Sequence, residues 1–263
     1  MLLLLGVVVL VSVGLWYFDY FGQPAESYMY VLPAKNAMSV RPSLFVTYTS
    51  YDSVPAKVWD GLSRYARDYT LRFFDDDACT AYLAAHFHPD VLARYQRLAK
   101  GAHRADLWRY CALYREGGLY LDVKTDLLRP VSSFLPAARN ATVLSVVDNA
   151  IYQGILSVPI PNDPLLGKCI ADIMKTPRRL LDGPFLLSGA GYLKFTRAMY
   201  AFIMEQAGGK KLLPGHNGNW YLLEEQCDSV CTKPDRYGRC CHILDAGVVV
   251  ANTRYKDFPW DKK

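Results

Sequence analysis

The sequence predicts one doubly wound α/β domain, with a mixed, mostly parallel sheet flanked by helices. Three observations carry that expectation. Segments of strand composition alternate with segments whose apolar residues recur at helical spacing through the first half of the chain. The chain has 263 residues, 51% of them hydrophobic, enough to bury one large core. Its net charge of +5 is spread over interspersed Lys, Arg, Asp and Glu without a basic block, which argues against nucleic acid as a partner.

In chain order, Leu2 to Phe18 is an uncharged apolar run followed by an aromatic cluster, and we read residues 1–21 as a signal-anchor transmembrane helix. Residues 22–42 lack periodicity and read as a stem, leaving 43–263 as the folded domain in the lumen of the ER or Golgi. The domain opens with a strand over Leu44–Thr49, a helix over Pro55–Arg67 and a strand over Tyr69–Phe74, a βαβ unit whose two strands run parallel. Asp75 to Asp77 caps the next helix, Ala78–His86, in preference to binding a metal. Helices over Pro89–Lys100 and His103–Glu116 follow. Gly117 and Gly118 stop the second of these, because glycine reaches the left-handed backbone a helix end requires. Strands are expected over Leu119–Val123, Ala141–Val147, Ile151–Val158 and Leu244–Ala251, and helices over Pro164–Lys175 and Leu193–Gln206.

Cysteine usage fits an oxidising compartment. Cys227, Cys231, Cys240 and Cys241 crowd together at a spacing that matches no zinc template, so local disulfides are expected. Cys79, Cys111 and Cys169 lie in apolar surroundings and read as buried thiols. Asn140-Ala141-Thr142 is a glycosylation sequon consistent with a lumenal glycoprotein.

A site is expected where the strand after Gly118 meets Asp122, since a carboxylate in an apolar strand is costly to bury without a partner. In strand register Tyr120, Asp122, Lys124 and Asp126 share one side. Asp106 and Arg109, three apart on the preceding helix, share a face and form either an ordinary surface ion pair or a pair aimed at the same ligand.

The run Arg104-Ala105-Asp106-Leu107-Trp108-Arg109-Tyr110, with Leu113-Tyr114 and Gly117-Gly118-Leu119-Tyr120-Leu121-Asp122, resembles the signature of glycosyltransferase family 32, the mannosyltransferase-like group with a DXD-type sugar-binding region. Val54-Pro55, Trp59 and Asp75-Asp76 extend the likeness upstream, and Leu187 to Gly191 is similar to a glycine-containing turn downstream. The resemblance implies a GT-A type, Rossmann-like nucleotide-sugar transferase fold. It implies retaining transfer of a hexose from a GDP- or UDP-sugar to a glycan or glycolipid. It assigns Asp106 and Arg109 to the donor sugar, Tyr120 and Asp122 to the nucleotide diphosphate, and Asp106, Arg109 and Asp122 to catalysis. The sequence departs from the family twice. Lys124 stands where a second carboxylate would help to hold Mn²⁺ or Mg²⁺, and Tyr48 stands near the position of a base-stacking Trp. Two readings of Lys124 stay open: its ammonium replaces part of the metal's charge, or Asp126 joins Asp122 as a metal ligand. A catalytically silent sugar-nucleotide or glycan-binding protein is the alternative.

Overall fold

The computed structural model describes residues 41–177, 190–228 and 240–253. The signal-anchor, the stem up to residue 40, Cys231 and most of the Leu187 to Gly191 turn lie outside the described residues. No described helix is long and apolar enough to cross a membrane.

The βαβ unit forms as its periodicity dictates: β1 (Ser43–Thr47), α1 (Ala56–Tyr65) and β2 (Thr70–Phe74), with β1 and β2 parallel. Helix α2 (Asp76–His86) starts where Asp75 accepts a hydrogen bond from the Ala78 amide at 2.8 Å, so the acidic triplet caps as expected. Helices α3 (Pro89–Arg97) and α4 (Gly101–Glu116) follow. At the end of α4, Gly117 and Gly118 have φ of 65° and 110°, and a Cβ on Gly118 would lie 2.5 Å from the Ser43 carbonyl oxygen. Glycine is therefore required twice over, for the turn and for the close approach of β3 (Gly118–Leu121) to β1.

After a turn come β4 (Thr125–Leu127), β5 (Asn140–Leu144), β6 (Ile151–Val158), α5 (Pro164–Lys175) and α6 (Ala190–Gln206). Strands β7 (Gly215–Asn217), β8 (Trp220–Asp228), β9 (Cys240–Asp245) and β10 (Val248–Thr253) complete the sheet. Its order is β2-β1-β3-β6-β5-β8-β9-β10-β4, with β7 pairing off β8. Since β3 and β4 are joined by only three residues, the sheet curls so that its last strand returns beside its third.

The sheet is mixed, as expected, but its parallel pairings are β1 with β2, β1 with β3 and β5 with β8. The other pairings are antiparallel. A mostly parallel sheet thus describes the βαβ part and not the whole. The difference arises in the second half, where short turns replace crossover helices and short turns join antiparallel neighbours. The strand expected over Leu244–Ala251 is in fact two, reversed at Ala246 and Gly247, with φ of 47° and 81°.

Two apolar cores sandwich the sheet. One packs α2 to α6 around Trp108, Phe45, Tyr110 and Leu156, and the other packs α1, β4 and β10 around Leu44, Leu62, Leu121 and Val250. Cys79, Cys111 and Cys169 are buried thiols, and Cys227 pairs with Cys241 across β8 and β9, one of the local disulfides expected. The sequon is not presented as a surface loop. Asn140 lies in β5 with its amide nitrogen donating to Asp163 at 2.7 Å, and Thr142 is fully buried.

Candidate functional site

β1, β3, β5 and β8 run in one direction, because β3 and β5 are each antiparallel to β6. Their carboxyl ends, near Tyr48, Asp122, Ser145 and Asp228, therefore form one edge, where ligands bind in open α/β sheets. Asp122 sits at the end of β3 with its amide donating to the Gly154 carbonyl at 2.8 Å. Its Oδ1 accepts the Lys124 amide at 2.9 Å, and its carbonyl accepts the Thr125 amide, so the carboxylate itself closes the turn. This turn corrects the continuous strand over Leu119–Val123: the chain reverses rather than running on. The expected alternation survives in burial, with Asp122, Lys124 and Asp126 partly exposed between buried Leu121, Val123, Thr125 and Leu127. Tyr120 departs from it, at 1% exposure.

Asp106 and Arg109 are not a surface pair. Both are buried, and Arg109 Nη2 lies 3.3 Å from Asp106 Oδ1. The guanidinium also donates from Nε to the Ala105 carbonyl and from Nη1 to the Gln153 carbonyl, and stands 4.4 Å over the Tyr120 ring. Burial works against its charge, but Tyr120, Asp106 and Asp122 outweigh burial and hold Arg109 more firmly protonated than usual. Asp106 is less well served. Burial pushes its carboxyl up to about 6, against the pull of Arg109 and with some help from the Asp122 charge. Its Oδ2 is buried without a hydrogen-bond partner among the described residues. A buried acceptor left in this state is a place for a ligand hydroxyl.

The Tyr120 hydroxyl meets Thr47 Oγ1 at 3.0 Å, and burial, together with Asp122, pushes it up to about 12 despite Arg109. Tyr48, next in the chain, is raised by burial and then by Asp122. The structure thus gathers Tyr48, Asp106, Arg109, Tyr120 and Asp122 at one corner. It adds Thr47, Gln153 and Gly154, which sequence reasoning missed. Only Gly154 carried a signal, as an isolated glycine inside an apolar strand.

The expected metal ligands fare differently. Asp126 lies on β4 directly opposite Asn252 of β10, and Asp122 belongs to no group of three ligating side chains among the described residues. One oxygen of Asp122 is already engaged, and an ammonium replaces the second carboxylate of the family pattern. The one such group among the described residues, Glu225, Cys227 and Cys241, has both its sulfurs in a disulfide.

Comparison with known proteins finds relatives over a stretch of the chain that includes Asp106 to Lys124. Residues 56–141 match the family model described as a glycosyltransferase sugar-binding region containing a DXD motif. The chain is 30% identical over 122 residues to the initiation-specific α-1,6-mannosyltransferase of Saccharomyces cerevisiae, covering 46% of this chain and 22% of that protein. It is 28% identical over 88 residues to an uncharacterized glycosyltransferase of Acanthamoeba polyphaga mimivirus, 32% of this chain and 35% of that one. The match thus spans between a fifth and about a third of these relatives' length. A solved PaToxG glycosyltransferase structure aligns with a TM-score of 0.47 at 13% identity, over 64% of this chain and 70% of that one. The matched region contains every residue of the corner from Asp106 to Lys124, and over residues 56–141 this chain is similar to glycosyltransferases with a DXD-type sugar-binding region.

Proposed function

We propose that this protein is a GT-A type glycosyltransferase that moves a hexose, with retention, from a GDP- or UDP-sugar to a glycan or glycolipid acceptor. One observation carries the reading: a buried Asp106–Arg109 pair, with a carboxylate oxygen lacking a partner, lies beside the strand-end carboxylate Asp122 inside the matched family region. In this reading the Asp106 oxygen accepts donor-sugar hydroxyls. Arg109 fixes that carboxylate and is itself fixed by two backbone carbonyls, so the ring is oriented at little entropic cost. Tyr48 and the half-exposed Tyr51, stacked on Trp59 at 4.4 Å, offer aromatic faces for a base.

Departure of a nucleoside diphosphate develops negative charge, and a preorganised cation beside it lowers the barrier. Lys124 is the cation this chain supplies next to Asp122. We place the protein in the secretory pathway, anchored by residues 1–21, a reading supported by the apolar N-terminal run and the disulfide. The second reading, a silent sugar-nucleotide-binding protein, is favoured by the same Lys124. A panel of nucleotide sugars, with and without Mn²⁺, separates the two. Turnover of one donor by the purified chain is expected. Binding without turnover under every metal condition supports the silent reading.

A further inference from the structure

The sheet edge that carries Asp122 also carries a cavity of about 570 Å³ that the donor corner does not use. It is lined by the segment after β5, the segment after α6 and the end of β8, and its size is that of an ordinary small-molecule site. In the sheet β5 stands two strands from β3, so the cavity begins ~10 Å from Asp122 at the usual strand spacing. Its rim is acidic: Asp148, Glu224 and Asp228 face it with the amides of Asn149 and Gln226, against one ammonium, Lys211. Its wall is apolar, formed by buried Leu212 and by Tyr200, whose hydroxyl accepts the Leu212 amide at 3.3 Å. The segment over residues 145–150 is held in place by Glu225, whose Oε2 accepts from Ser145 Oγ at 2.9 Å and from the Val146 amide at 3.2 Å.

We infer that this cavity is the acceptor subsite and that it takes a neutral, hydroxyl-rich sugar in preference to a phosphorylated or otherwise anionic one. The inference rests on the donor reading of Asp122 for the identity of the reaction, and on the cavity alone for the chemistry of the ligand. Carboxylates and amides accept and donate hydrogen bonds to sugar hydroxyls, and an aromatic wall covers the apolar face of a pyranose ring. Like charge repels an anionic ligand, and the same charge keeps the donor's diphosphate out of this half of the edge. The acidic rim thus separates the two substrates, since the cations Arg109 and Lys124 lie at the other corner. Lys211 is the cation that offsets the rim, and His242 Nε2 lies 3.5 Å from Asp228 Oδ2.

The test is a binding titration of the full chain with methyl α- and β-hexopyranosides of manno, gluco and galacto configuration and with their 6-phosphates, alongside UDP and GDP. At least one neutral glycoside is expected to bind, and its 6-phosphate at least tenfold more weakly. The double variant Glu224→Gln with Asp228→Asn is expected to weaken the neutral glycoside at least tenfold and to leave UDP or GDP binding unchanged, which also shows that the variant is folded. The inference is overturned if no neutral glycoside binds, if the variant binds it unchanged, or if the 6-phosphate binds as tightly. Glycoside binding without any nucleotide binding upholds the cavity and removes the donor reading of Asp122.

Discussion

The two corners of the binding edge are built in opposite ways. The donor corner comes largely from one stretch of chain, Asp106 to Lys124, and its Asp106–Arg109 pair is buried and tied to neighbours. The acidic cavity is assembled from three segments distant in sequence, and most of its polar groups are exposed. Charges of the first kind are placed by the protein and cost stability when disturbed. Charges of the second kind act on the ligand and are nearly silent in folding.

The largest effect expected is at the donor corner. Arg109→Met leaves Asp106 buried and unpaired, and thermal or denaturant unfolding should show a loss of about 3–5 kcal/mol. Equal stability of variant and parent would show that the pair is not the buried strut described here. Next in size is the pH dependence of the same pair. Because the folded Asp106 binds its proton more tightly than the unfolded carboxyl at 3.8, protonation favours the fold. Stability should therefore fall as pH rises from about 4 through about 6, by on the order of 3 kcal/mol. Asp106→Asn should remove that slope, and a slope that persists would assign it to other groups.

A smaller effect is expected at Lys124. Lys124→Asp restores the second carboxylate of the family pattern, and donor binding should become dependent on Mn²⁺ by about tenfold, the value of one good charge-assisted contact. Metal dependence already present in the parent and unchanged in the variant would break the reading of Lys124 as the resident cation. Smallest of all, Glu224→Gln at the cavity should change stability by less than about 0.5 kcal/mol. A larger loss would mean that the rim is structural and the contrast between the corners is misplaced.

The donor corner was legible because short-range physics sets it. Helical spacing placed Asp106 and Arg109 together, paired glycines ended α4, and strand composition placed Asp122 at a strand end. Burial was the part that spacing concealed, since an i,i+3 pair looks the same on a surface as in a core. The cavity was illegible for a different reason. Strand β8 buries Glu225 at 3% exposure, a carboxylate in a core position, and so it lacks an apolar strand pattern. Ala246 adopts a left-handed turn that alanine does not advertise, so β9 and β10 read as one strand. The placement of Asp126 was illegible too, because the Asx turn at Asp122 ends β3 and hands the chain to β10, a partner more than a hundred residues away.

The central claim is that Asp122 is the point at which this chain handles a nucleotide-sugar diphosphate. Asp122 is partly exposed and closes only its own turn, so Asp122→Ala should fold. The most direct measurement is the turnover of the donor sugar nucleotide by parent and Asp122→Ala proteins matched for folded content. A fall of about 10²–10³ in rate is predicted, the cost of losing a group that organises charge in the transition state. Turnover by Asp122→Ala at the parent's rate would contradict the account.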